Sequence, residues 1–282
     1  MKLKHSLVAL AAAAIAGSAM AAPTITNPNG TFSFSGLDYS ATGQGLVSGY
    51  DILNTTAAGT VDNFTLKFQA NATGIINANG ININPALIPG LNTAYEYTIF
   101  ATVNETATCI ATGAAANQQC GIASLNIVNG TYTVYYDTNP GTFANYGTGT
   151  GFTNGVVLFS GTFTAGQPIL ALQGPSNPGN LSLGTTFFGN VSSTNLTFIN
   201  PALTATSAST TLQFGNTQTN GFIPPTSFNG VAVGALNNTN FFFQADANQT
   251  VLAVPEPGAL ALFSLGLTGL GLVSRRRRSK KV

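Results

Sequence analysis

Between residues 22 and 254, apolar side chains recur at every second position, and no long run has a helical period. Tyr95, Tyr97, Ile99, Ala101 and Val103 alternate with Glu96, Thr98, Phe100 and Thr102. Tyr132, Val134 and Tyr136 alternate with Thr131, Thr133 and Tyr135, and Phe32 and Phe34 with Thr31, Ser33 and Ser35. Period two sends neighbouring side chains to opposite faces of a sheet, and β-branched and aromatic residues suit that half-buried surface. The same enrichment predicts strands at 64–69, 155–164, 185–189, 195–199, 210–214 and 240–244. Asn-Gly pairs at Asn29-Gly30, Asn79-Gly80, Asn129-Gly130, Asn154-Gly155, Asn220-Gly221 and Asn229-Gly230 supply the positive φ that tight hairpins need. Asn129-Gly130, between residues 124–128 and 131–137, is the strongest hairpin prediction, and Pro140-Gly141 and Pro178-Gly179 mark wider loops. Many short strands with polar outer faces point to an all-β fold, an antiparallel β-sandwich or barrel-like domain. A β-solenoid is the alternative. The Asn-Gly pairs at 29, 79 and 129 are evenly spaced, but their flanks do not repeat, which weakens it.

Charge narrows the function. From Ala22 to Val254 the only basic residue is Lys67, against Asp38, Asp51, Asp62, Glu96, Glu105, Asp137 and Asp246. That stretch carries −6, although the whole chain sums to +1. Binding to nucleic acid needs clustered Lys and Arg, so no nucleic-acid partner is expected. Abundant Gly, Asn, Thr, Ser and Gln could suit a disordered chain, but disorder goes with low hydrophobicity and high charge, whereas 44% apolar residues, with 19 Phe and 8 Tyr, supply an ordered core.

Catalytic groups are scarce. The exported stretch has no His or Arg, which removes Ser-His-Asp and Cys-His arrangements. Lys67, between Leu66 and Phe68, reads as an outward solubilising side chain. Glu96 and Glu105 are the one carboxylate pair worth weighing for glycoside chemistry, but their odd spacing puts them on opposite faces of a regular strand. Gly147-Thr148-Gly149-Thr150-Gly151 lacks the Gly-Lys-Ser/Thr ending of a phosphate loop and reads as a flexible loop. A chain with two thiols, no exported His and no Asp-x-Asp-x-Asp-Gly run is not expected to hold a metal or a cofactor. No enzyme is expected.

The ends carry the most specific signals. Lys2, Lys4 and His5 precede an apolar run from Leu7 to Ile15. Ala19 and Ala21 then fit an Ala-x-Ala site with cleavage after Ala21, so residues 1–21 read as a signal-peptide helix. Export makes a disulfide between Cys109 and Cys120 the expected state of the two thiols, free thiols being the alternative. A loop of about 12 residues closed in this way stabilises by roughly 3 kcal/mol. Residues 22–252 then form the secreted β-rich domain and 253–282 a separate C-terminal segment. That segment opens on Val254, Pro255, Glu256 and Pro257, and continues with an uncharged stretch from Gly258 to Ser274. It ends in Arg275, Arg276, Arg277, Arg278, Lys280 and Lys281. As a transmembrane helix the uncharged stretch would reach about 25 Å, slightly short of a hydrocarbon core of about 30 Å. The basic cluster favours a cytoplasmic tail.

This tripartite segment resembles the PEP-CTERM sorting signal of Gram-negative bacteria. The resemblance implies an exosortase as partner, a membrane cysteine transpeptidase that recognises Pro-Glu-Pro and cuts nearby. It implies transient anchoring in the inner membrane, then release or attachment at the cell surface. Proteins with this signal are associated with exopolysaccharide, biofilm and floc matrix, and the segment also occurs on some ice-binding proteins. Residues 241–249, Phe-Phe-Phe-Gln-Ala-Asp-Ala-Asn-Gln, resemble the end of flocculation-associated PEP-CTERM proteins. The leading expectation is therefore an extracellular structural or adhesive protein. A glycan- or ice-binding module is the alternative. A flat Thr/Asn array would favour ice, a groove with exposed aromatics would favour glycan, and a carboxylate pair in a cleft would favour an enzyme.

Overall fold

The computed structural model describes residues 22–112, 120–167, 170–171, 184–203, 208–216, 222–237 and 239–253. The predicted signal helix lies outside them, as do Ala19, Ala21 and everything beyond Ala253. The elements are β1 (Thr24–Asn27), β2 (Gly30–Ser33), β3 (Gly36–Tyr39), β4 (Gly43–Ser48), β5 (Val61–Ile76), β6 (Glu96–Thr112), β7 (Cys120–Asp137) and β8 (Val156–Gln167). They continue with β9 (Leu170–Ala171), β10 (Gly184–Thr194), β11 (Ile199–Asn200), β12 (Ala208–Asn216), β13 (Ser227–Phe228), β14 (Val231–Ala232) and β15 (Asn240–Ala253). Single 3-10 turns at Ile52–Asn54, Pro85–Leu87 and Pro140–Thr142 are the described helical elements.

The fold is an eight-stranded antiparallel barrel. Going round the wall, β12, β10, β8, β7, β6 and β5 pair in turn. β3 and β4 then share one stave, both pairing with β5 on one side and β15 on the other. β15 closes the ring on β12 in register from Ala208↔Ala253 to Asn216↔Ala245. Closure removes the open sheet edges that a sandwich of this size would have to protect. The sequence left sandwich and barrel open; the β12–β15 pairing decides for the barrel.

Large side chains fill the interior. Tyr39, Phe68, Tyr132, Phe159, Phe163, Phe187 and Phe243 are all essentially inaccessible to solvent. A small barrel tapers and curves, so large residues need small ones opposite. Glycines answer that need here. Gly45 pairs with Phe243, Gly161 with Tyr132, Gly130 with Phe163 and Gly166 with Phe187. A Cβ at Gly45 would sit 2.1 Å from the Phe243 ring, and one at Gly161 2.4 Å from the Tyr132 hydroxyl. Each ring thus lies over a backbone that has no side chain to displace it.

Two strand-level expectations fail. Asn129-Gly130 is no hairpin: β7 runs unbroken through it. Opposite Asn104 and Glu105 the β6 register skips from Asn129 to Ile127, so Val128 is an extra residue and a bulge. The bulge changes the phase of the strand. Ala123 and Leu125 point inward before it, and Gly130, Tyr132, Val134 and Tyr136 after it. A shift in parity on either side of Asn-Gly looks the same in sequence as a chain reversal. Residues 195–199 form a turn rather than a strand, with the amides of Phe198 and Ile199 bonded to the Asn195 carbonyl. Only Ile199–Asn200 pair, with β1.

The barrel ends differ. At one end β1, β2 and β11 form a three-stranded sheet whose Ile25 and Ile199, with Phe34 just beyond β2, join the barrel core. The described chain starts and stops here, since the Phe34 amide bonds the Pro23 carbonyl and the Val251 amide the Ser35 carbonyl. The other end carries the Cys109–Cys120 disulfide, with Cα atoms 5.7 Å apart, and the 3-10 turn at Ile52–Asn54.

Candidate functional site

β6 carries the two carboxyls that the sequence singled out, and both are buried. They face opposite sides of the wall. Glu105 follows Val103 on the inward face and pairs across to Phe64. Burial pushes its carboxyl up to about 8. Tyr50 packs edge-on against Phe64 at 5.0 Å, and its buried hydroxyl has no hydrogen-bond partner. Burial raises that phenol, and the charges of Asp62 and Glu105 add to the effect. Glu96 faces outward beneath the 138–155 loop and accepts from the Ala144 amide at 2.9 Å. Burial pushes it up to about 7, against that hydrogen bond, while Asp137 directly across the ladder raises it further. Asp137 in turn accepts from Asn139, Thr142 and Asn154. These two acids fasten a loop to the wall.

That loop is well packed. Phe152 is fully buried, its carbonyl takes the Thr98 hydroxyl at 2.8 Å, and Tyr146 stacks edge-on against Phe152. The Gly147–Gly151 run, expected to be a flexible loop, is instead a joint. Gly149 has φ +70°, and a Cβ there would lie 1.8 Å from the Ser227 carbonyl. Its own carbonyl accepts from the Gly230 amide at 3.0 Å. Gly230 belongs to the β13–β14 hairpin, where Asn229 and Gly230 have φ of 50° and 73°. This Asn-Gly pair makes a tight turn, as the sequence predicts for it.

The hairpin segment covers a second, outer apolar cluster of Leu46, Phe228 and Phe242. Beside it lies a cavity of about 300 Å³ lined by Leu46, Ser48, Lys67, Phe228, Val231 and Asn240, among others. Lys67 faces outward as expected. Its place in a lined groove was not legible, because the hairpin that walls it lies some 160 residues along the chain.

A row of uncharged polar groups crosses five strands of the wall. Starting at Lys67, successive cross-strand neighbours are Thr102, Thr131, Thr162, Asn190 and Ser209. A second row runs Thr133, Ser160 and Ser193. Adjacent strands lie about 4.8 Å apart, so these groups form ladders, but ladders that wrap around a barrel. Among the described residues no three His, Cys, Asp or Glu side chains converge.

The architecture defines an all-β barrel protein whose last stave, β15, runs directly into the C-terminal segment. Residues 253–278 match the PEP-CTERM protein-sorting motif, so the chain carries a PEP-CTERM sorting signal. The match begins at Ala253, the last residue of β15. The motif implies export, membrane passage toward the cell surface and processing by an exosortase. Val254, Pro255, Glu256, Pro257 and the basic tail from Arg275 to Lys281 lie outside the described residues. No curated protein and no solved structure matches the chain.

Proposed function

We propose that this protein is a non-enzymatic structural component of an extracellular matrix, contributing to biofilm or floc cohesion after exosortase processing. The observation that carries the reading is a barrel filled by aromatic side chains, with a wall that is neutral and rich in hydroxyl and amide groups. A barrel that stores a ligand keeps its interior open, whereas this one invests its interior in stability and leaves contact to its outer surface. The two buried carboxyls on opposite faces of β6 support the non-enzymatic reading, since glycoside chemistry needs both beside one bond. The curvature of the hydroxyl ladders speaks against ice, which needs a flat array. A saccharide-binding role is the second reading, and the groove beside Lys67 is the observation that favours it. A deletion strain is expected to flocculate less and retain less matrix. Unchanged flocculation refutes the matrix role.

A further inference from the structure

Lys67 is the only base in a stretch that carries seven acids. Among the described residues those acids are committed elsewhere. Asp137 and Glu96 hold the 138–155 loop, and Asp62 accepts from the Ile52 amide. Asp38 accepts from Asn82 and lies near Asp246, Asp51 accepts from Asn54, and Glu105 faces the barrel interior. No described carboxylate pairs with Lys67. Its side chain instead lines the groove walled by the β13–β14 hairpin.

The lining has three chemical parts. Leu46 and Phe228 give an apolar floor, and Val231 extends it as a rim. Ser48 and Asn240, directly paired across β4 and β15, give neutral hydrogen-bonding groups at one side. Lys67, paired across to Leu46, gives one positive charge at the other. A volume of about 300 Å³ is at the small end of ligand sites, enough for a ring rather than an extended chain. A pyranose ring offers an apolar face and a rim of hydroxyls, and a uronic acid adds one carboxylate. We propose that this groove binds a uronate residue of an acidic saccharide, with the carboxylate on the Lys67 ammonium and the ring over Leu46 and Phe228. The proposal deepens the matrix reading and rests on it for its biological sense, but its chemistry stands on the groove alone. With a net −6 on the surrounding domain, long-range attraction is absent, so the contact is short-range and weakened by salt.

The test uses the processed protein recovered from the cell surface, titrated with tetragalacturonate, with free galacturonate and with neutral maltotetraose, followed by calorimetry. Tetragalacturonate is expected to bind and maltotetraose not. Equal affinity for free galacturonate assigns the site to a single sugar, and tighter binding of the oligomer extends it along a polymer; both support the uronate. Lys67→Met keeps the stem and removes the charge, and is expected to weaken binding about tenfold or more, the worth of a charge-assisted hydrogen bond. Lys67→Arg is expected to retain most of the affinity. Thermal melting of both variants checks the fold. Undiminished binding in Lys67→Met overturns the proposal, as does absence of binding to the acidic sugars. A change in sedimentation of Lys67→Met overturns it in favour of pairing with another copy of the chain. A negative titration alongside reduced flocculation in the deletion strain sinks the groove and leaves the matrix role standing.

Discussion

Replacing Glu105 by Gln isolates an electrostatic cost built into the barrel. The carboxyl is 4% exposed, faces inward and is pushed by burial from an ordinary 4.5 up to about 8. A folded-state value above the unfolded one means that the native state keeps the proton while the unfolded chain releases it. Stability is therefore highest below about pH 4.5 and declines as pH rises toward 8. At about 1.4 kcal/mol per pH unit over that window, the decline approaches about 5 kcal/mol, as an order of magnitude. Glutamine has the same shape and no proton to lose. Urea unfolding of wild type and Glu105→Gln at pH 4.5, 6.5 and 8.5 reads the effect. The two are expected to have similar stability at pH 4.5 and to separate progressively, with the variant several kcal/mol more stable at pH 8.5. Comparing the pair cancels Glu96, whose value near 7 gives a second, shallower window of the same sign in both proteins. A constant difference across the three pH values refutes the buried-carboxyl account.

Other outcomes follow from packing. Gly45→Ala puts a Cβ 2.1 Å from the Phe243 ring and is expected to cost about 1–3 kcal/mol by thermal or urea unfolding. Gly215→Ala meets nothing within 4 Å and is expected to change stability by less than about 0.5 kcal/mol. Replacing both Cys109 and Cys120 by Ser is expected to cost roughly 3 kcal/mol, and adding reductant to that variant should then change nothing. Gly230→Val forces a β-branched residue to φ 73° and is expected to loosen the hairpin, read as faster proteolysis within 222–237 at unchanged barrel stability.

Local chemistry was legible in the sequence where it is decided locally. The alternation at Tyr132, Val134 and Tyr136 correctly gives the inward face of β7, and Asn229-Gly230 forms a tight turn. The failures share a cause. At Asn129 the phase shift of a bulge mimics a turn, and only the partner strand β6 distinguishes them. Closure depends on β15 meeting β12, which no local pattern encodes. The pairing of Gly45, Gly130 and Gly161 with aromatic rings is likewise a property of register, which no local pattern encodes. Lys67 was placed on the correct face, but its groove is made by a distant hairpin. The sorting segment was the most legible part of all, because its signal is a linear motif.

If the barrel is delivered to the surface by a segment that is then removed, the mass of the mature protein records the loss. Intact-mass measurement of the surface-located protein tests it directly. The expected chain begins near Ala22, retains β15 through Ala253 and lacks the apolar stretch and the basic cluster from Arg275 to Lys281. A surface-located chain whose mass includes Val282 contradicts it and makes the segment a permanent anchor.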